Sequence, residues 1–102
     1  MSKVKSEYDD LDKYKSILGT TYYYKKDTDI IHNPYGPAII YKHGYKQYII
    51  ENKLHRLDGP AIILLHGRGE YYINDKKLSK EEFEVHPDVL KFLGKEHLVC
   101  LK

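Results

Sequence analysis

Histidine is the side chain best suited to chemistry near neutral pH, and this chain of 102 residues carries six. Two pairs recur at a spacing of 23 residues: His32 with His55, and His43 with His66. In a repeated fold such spacing brings equivalent side chains to neighbouring units, where two imidazoles could share a metal ion. Metal sites of that kind add a cysteine or a short His-x-x-x-His spacing, and neither accompanies these residues. Structural roles are therefore expected, and no metal. His43 and His66 each precede a glycine, the signature of a turn, and His55 is expected to hydrogen-bond to Asp58 or to a backbone carbonyl.

Nucleophilic catalysis needs a serine or cysteine beside a base that a third group orients. Cys100, the single cysteine, falls in a C-terminal tail over 94–102, and Ser79 reads as a helix cap. Asp58 with Glu51 or Glu70 is a candidate carboxylate pair, but their spacing gives no reason for a shifted pKa. No catalytic residue and no cofactor is expected, so the chain is not read as an enzyme.

Binding chemistry is better represented. Eleven tyrosines stand beside two phenylalanines and no tryptophan. Arg56, Arg68, Lys42, Lys46 and Lys53 are interleaved with Tyr41, Tyr45 and Tyr48. Tyrosine and arginine are the residue types that most often anchor interfaces. Tyr41, Tyr45, Tyr48, Arg56, Arg68, Tyr71 and Tyr72 are therefore the candidate binding residues. The same set could hold a nucleotide between cations and rings. The net charge of +2 is too small for a dedicated nucleic-acid footprint, and no glycine-rich phosphate loop opens a helix.

These residues must be positioned by a repeated element. "HNPYGPAII" (32–40) and "HRLDGPAII" (55–63) match, with Gly36-Pro37 against Gly59-Pro60. The offset continues through His43-Gly44 and His66-Gly67, Tyr48 and Tyr71, Ile50 and Ile73, then Asn52-Lys53 and Asp75-Lys76. Each copy reads as two strands. Proline opens the first at a position that owes nothing to a ladder, and two-residue His-Gly turns lead to the second. Asn52 and Asp75, which tolerate left-handed backbone, close the following turn. A degenerate third copy is expected before them, because "YYYKKDTDIIH" (22–32) echoes "YIIENKLH" (48–55) with extra residues in its turn.

The ends read as helix. Ser79 with Glu82 forms a capping box, Pro87 opens a second short helix and Gly94 stops it. Leu11, Tyr14 and Leu18 follow helical spacing, predicting a helix over about 6–18. The expected fold is therefore α+β in one domain, 1–102. An antiparallel meander of hairpin repeats over 21–78 is flanked by an N-terminal helix and by C-terminal helices over 79–93.

The run "YIIENKLH" resembles the MORN repeat (membrane occupation and recognition nexus), a hairpin unit of about this length. More closely, "KLHRLDGPAIILLHGRGEYYINDKKL" (53–78) is similar to a MORN-like variant with the phrase His-Arg-x-Asp-Gly-Pro-Ala, found in proteins of phages and giant viruses. MORN units place glycine after the histidine and in the turn, where this chain has Arg56, Asn52 and Asp75. The resemblance implies a repeat framework in which His32, Gly36, Pro37, His43, Gly44, His55, Asp58, Gly59, Pro60, His66 and Gly67 are structural. It also implies a binding role and a viral origin, and it brings no catalytic residue.

The expected function is a non-enzymatic viral or phage binding protein that engages a host protein, for instance to inhibit an antiviral defence system. One alternative is sequestration of an anionic nucleotide signal or binding of nucleic acid, and another is a self-associating structural repeat. A single cysteine and no long apolar run point to a reducing cytoplasm, that of the host if the chain is viral, and to no membrane.

Overall fold

The protein is described from a computed structural model covering residues 2–94. The expected tail beyond Gly94, including Cys100, lies outside the described residues. Strands β1 (Val4–Lys5), β2 (Leu11–Lys15) and β3 (Thr21–Lys25) are followed by β4 (Ile39–Ile40), β5 (Lys46–Gln47), β6 (Ile49–Ile50) and β7 (Lys53–Leu54). Then come β8 (Ile62–Ile63), a 3-10 turn (Leu65–Gly67), β9 (Gly69–Ile73) and β10 (Lys76–Leu78). Helices α1 (Lys80–Glu84) and α2 (Pro87–Phe92) close the described chain. Eight strands form an antiparallel meander in the order β1-β2-β3-β4-β5-β8-β9-β10, with β6–β7 as a ribbon beside it.

The offset of 23 in the sequence is an offset of 23 in the structure. Adding 23 carries β4 onto β8, the span from β5 through β6 onto β9, and β7 onto the start of β10. The expected earlier copy is there too: β3 runs into a turn and returns through a bridge from Tyr24 to Ile31. That turn is longer, with Lys25 N–H bonded to Ile30 O, whereas the later copies turn on Glu51-Asn52 and Asn74-Asp75 alone. All four of those turn residues have positive φ, between 48° and 69°. Asn and Asp accept that conformation because their short polar side chains bond locally.

Here the bonds reach the previous copy. Asn52 N–H donates to Ile31 O at 2.8 Å, and Asn52 Oδ1 accepts Ile31 N–H at 2.8 Å. Asp75 makes the same reciprocal pair with Leu54, at 2.8 Å and 2.7 Å. A histidine completes each stitch: His32 Nδ1 accepts Glu51 N–H at 3.0 Å, and His55 Nδ1 accepts Asn74 N–H at 3.1 Å. The next place in that series is Leu78, which packs against Ile73, Phe83 and Val89.

Cross-strand register aligns Tyr14, Tyr22, Ile39, Gln47, Ile62 and Glu70 in one row on one face. One core gathers Ala38, Ile39 and Ile49 under Tyr22 and Tyr41. The other lies under the helices, where Ser79 Oγ accepts Glu82 N–H at 3.0 Å and Glu82 Oε1 accepts Ser79 N–H at 2.8 Å. This capping box starts α1 so that Phe83 lands on Tyr71, ring centroids 4.5 Å apart. Burying Phe83 and Val89 contributes about 1.5–3 kcal/mol each.

Two expectations are corrected. The N-terminal helix over 6–18 is absent, and its place is taken by β1, a turn and β2. Ser6 Oγ, which accepts Tyr8 N–H and donates to Leu11 O, makes that turn. Leu11 is buried in β2 by pairing with the tyrosine strand β3, while Leu18 is 79% exposed at a hairpin tip. The His-Gly turns also have three residues, not two. Tyr41 N–H bonds Tyr45 O across Lys42–Gly44, and Leu64 N–H bonds Arg68 O across Leu65–Gly67. Only Gly44 has positive φ in the first, whereas His66 and Gly67 share it in the second.

Candidate functional site

His32 and His55 serve the repeat, and His55 also lines a cleft beside Arg56. His32 and His55 spend Nδ1 on a turn amide, which leaves the ring proton on Nε2. Burial lowers the pKa of both; Lys25 also depresses His32, while Asp88 opposes the fall at His55. The neutral form that the stitch requires is thus favoured. The partner expected for His55, Asp58 or a carbonyl, is replaced by an N–H donor from the next copy. His43 and His66 are exposed at separate tips. Among the described residues no three His, Cys, Asp or Glu are grouped to hold a metal ion.

Arg56 is a structural arginine rather than a free one. Its Nε donates to Asp58 Oδ1 at 2.7 Å, its Nη1 donates to Pro60 O at 3.1 Å, and its guanidinium lies 3.9 Å from the Tyr48 ring centroid. Asn33 has the same place in the preceding copy, where Nδ2 donates to Pro37 O at 3.0 Å. Both side chains hold the Gly-Pro linker in a loop. A Cβ on Gly59 would stand 3.0 Å from the guanidinium carbon, so glycine there makes room for Arg56, whereas Gly36 meets nothing closer than 4.0 Å.

Between the two linkers lies a cleft of about 230 Å³, walled by Pro34, Tyr35, Tyr48, Leu57, Asp58 and Phe92. Small-molecule sites occupy roughly 300–1,000 Å³, and this cleft falls below that range. Its cation is already paired with Asp58.

The remaining candidates divide. Tyr71 is engaged with Phe83, and Tyr72 pairs with Lys77 on the outer strand. Tyr41 and Tyr45 stack at 4.7 Å beside the second hairpin tip, and Arg68 is exposed at the third. The sequence reading missed what joins them there: Lys15, Ile17, Leu18 and Leu65. Helical spacing over about 6–18 covers the first three. The Gly after Ser-Ile-Leu (16–19), at φ +92°, was the available signal of a turn. The first two tips frame an open recess of about 390 Å³ lined by Lys15, Ile17, Leu18, Ile40, Tyr41 and Lys42.

Edge pairing is discouraged at the N-terminal side, where β1 has two residues and Lys3 and Lys5 flank or occupy it. No helix among the described residues is long and apolar enough to cross a membrane. Compared with protein-family models, with characterised proteins and with solved structures, the chain matches none.

Proposed function

We propose that this chain is a non-enzymatic, MORN-like binding protein of viral or phage origin that engages a host protein in the host cytoplasm and restrains an antiviral defence system. The observation that carries the binding role is how the reactive side chains are used. His32 and His55 each commit a ring nitrogen to holding one repeat on the next, and Ser79 commits its hydroxyl to a helix end. Function then falls to surface side chains, and the exposed apolar and cationic residues at the hairpin tips supply them. The MORN-like and viral parts of the reading rest on the 23-residue hairpin unit and on the phrase His-Arg-x-Asp-Gly-Pro-Ala at 55–61.

Photo-crosslinking tests the role. A crosslinking residue placed at exposed positions 17, 27 and 92, one per protein, is illuminated in host-cell extract and adducts are identified by mass spectrometry. A single host protein captured from one position and competed away by unlabelled chain is the expected outcome. No specific adduct from any position would defeat the reading.

A further inference from the structure

Hairpin tips are ordinarily the most polar part of a sheet. In this molecule the tips also carry exposed carbon, as do Val4 and Tyr35 and the C-terminal Val85, Phe92 and Leu93. Ile17 is 99% exposed, Leu18 79% and Leu65 51%, all in turns on the same edge of the meander. Isolated exposed aliphatics need no explanation, but Ile17 and Leu18 are neighbours that line one recess of mixed polar and apolar surface.

Charge is segregated in the same place. The three tips, 15–21, 40–46 and 63–69, contain Lys15, Lys42, Lys46 and Arg68 and no carboxylate. They therefore carry +4, while the whole chain carries +2, so everything outside them sums to −2. Outside the tips, Lys3, Lys13, Lys25, Arg56 and Lys77 each have a carboxylate within 4 Å, while Lys5, Lys26, Lys53, Lys76, Lys80 and Lys91 stand among acidic residues of the same segments without a direct pair among the described residues. None of the four tip cations has such a partner among the described residues. Lys15 and Lys46 share a cross-strand row with Thr21, Ile40 and Ile63, so they rise from the face that carries the recess.

We infer that this row of tips is a docking surface for an acidic protein segment bearing an aliphatic anchor. The anchor side chain enters the recess against Ile17, Leu18 and Ile40, and flanking carboxylates meet Lys15 and Lys42. The inference rests on the protein-binding reading above and names its surface and partner chemistry. A recess calls for a protruding side chain, which a lipid surface does not present. Base stacking finds little here, because the Tyr41 ring is already stacked on Tyr45 and Arg68 is the one guanidinium at the tips. Uncompensated cations around a partly apolar recess also steer association and set partner choice.

The probe is a synthetic peptide alternating glutamate and leucine, titrated into the full chain by fluorescence anisotropy and mapped by amide chemical shifts. Saturable binding that moves Ile17, Leu18 and Lys42 is expected, and it weakens as salt rises. Ile17→Ser with Leu18→Ser, or Lys15→Glu with Lys42→Glu, should each weaken it about tenfold or more while leaving the thermal midpoint unchanged, since all four side chains sit on tips. A polyglutamate peptide should bind less tightly than the mixed one. Shifts confined to the linker cleft, indifference to both double variants, or tighter binding of a single-stranded oligonucleotide or of phosphatidylserine vesicles would overturn the inference. The crosslinking experiment separates the two levels. Adducts at 27 or 92 but not at 17 remove this surface and leave a protein-binding chain, whereas no adduct at any position removes both.

Discussion

The imidazole of His55 accepts the backbone N–H of Asn74 at 3.1 Å, and the same relation joins His32 to Glu51 one repeat earlier. Two copies of a single bond thus tie each hairpin unit to the one that follows it. Protonation of Nδ1 removes the acceptor and breaks the tie.

That relation sets a pH dependence. Burial holds both imidazoles below their ordinary value of 6.5, so the folded state favours the neutral ring. The stabilisation is complete above that value and is lost as pH falls through the lower folded-state pKa. Thermal midpoints should therefore drop as pH falls below 6.5. The carboxylates of Glu7 and Glu51, lowered from 4.5, add their loss only in more acid solution. The double variant His32→Asn, His55→Asn keeps an acceptor without a titrating ring and should flatten the slope; an unchanged slope would refute the assignment.

Glycines at equivalent repeat positions should respond differently to alanine. Gly36→Ala meets open space and should change stability by under about 0.5 kcal/mol, while Gly59→Ala displaces Arg56. Gly69→Ala is the severe case, because its Cβ would stand 2.6 Å from the Pro60 ring. A loss of about 1–3 kcal/mol is expected, read from urea midpoints at constant slope.

Arg56 should behave as a fold residue. Arg56→Lys keeps the charge but loses the fork that reaches Asp58 and Pro60 together, and with it the stack over Tyr48. Stability should fall by about 1–3 kcal/mol. Chemical denaturation measures it, and a lysine variant as stable as the parent would return Arg56 to the pool of free surface residues.

The capping box and the core beneath it should separate in magnitude. Ser79→Ala removes one cap, for about 1 kcal/mol, and Phe83→Ala empties the site between Tyr71 and Val89, for about 3–5 kcal/mol. Both are readable by calorimetry, and a reversed order would contradict the packing described.

The repeat was legible because it is written in residues with few alternative uses: Gly-Pro at strand starts, Asn and Asp at left-handed turns, Ser79 and Glu82 at a helix start. What escaped depends on partners distant in the chain. Leu11, Tyr14 and Leu18 satisfy helical spacing, and only the neighbouring strand with Tyr22, Tyr23 and Tyr24 draws Leu11 and Tyr14 into β2 and leaves Leu18 in the turn. Histidine's role was legible as architecture but not as an acceptor, since the donor lies in the next copy. Among the binding candidates, Tyr48, Arg56 and Tyr71 are committed internally by contacts that no local pattern announces. The tip residues Ile17 and Leu18 were hidden by the same helical reading.

Leu78 has the place that histidine holds in both preceding copies, and it trades an acceptor for carbon that helix α1 and its neighbours cover. The array therefore has a direction and a terminus written into one side chain. Lengthening it requires a whole unit of 23 residues inserted upstream of that leucine, with a new histidine and a new Asn or Asp turn. Each insertion would extend the sheet by about 10 Å, the width of two strands. Evolution or engineering can thus change the reach of this molecule only in discrete steps, and each step would add another tip to the row.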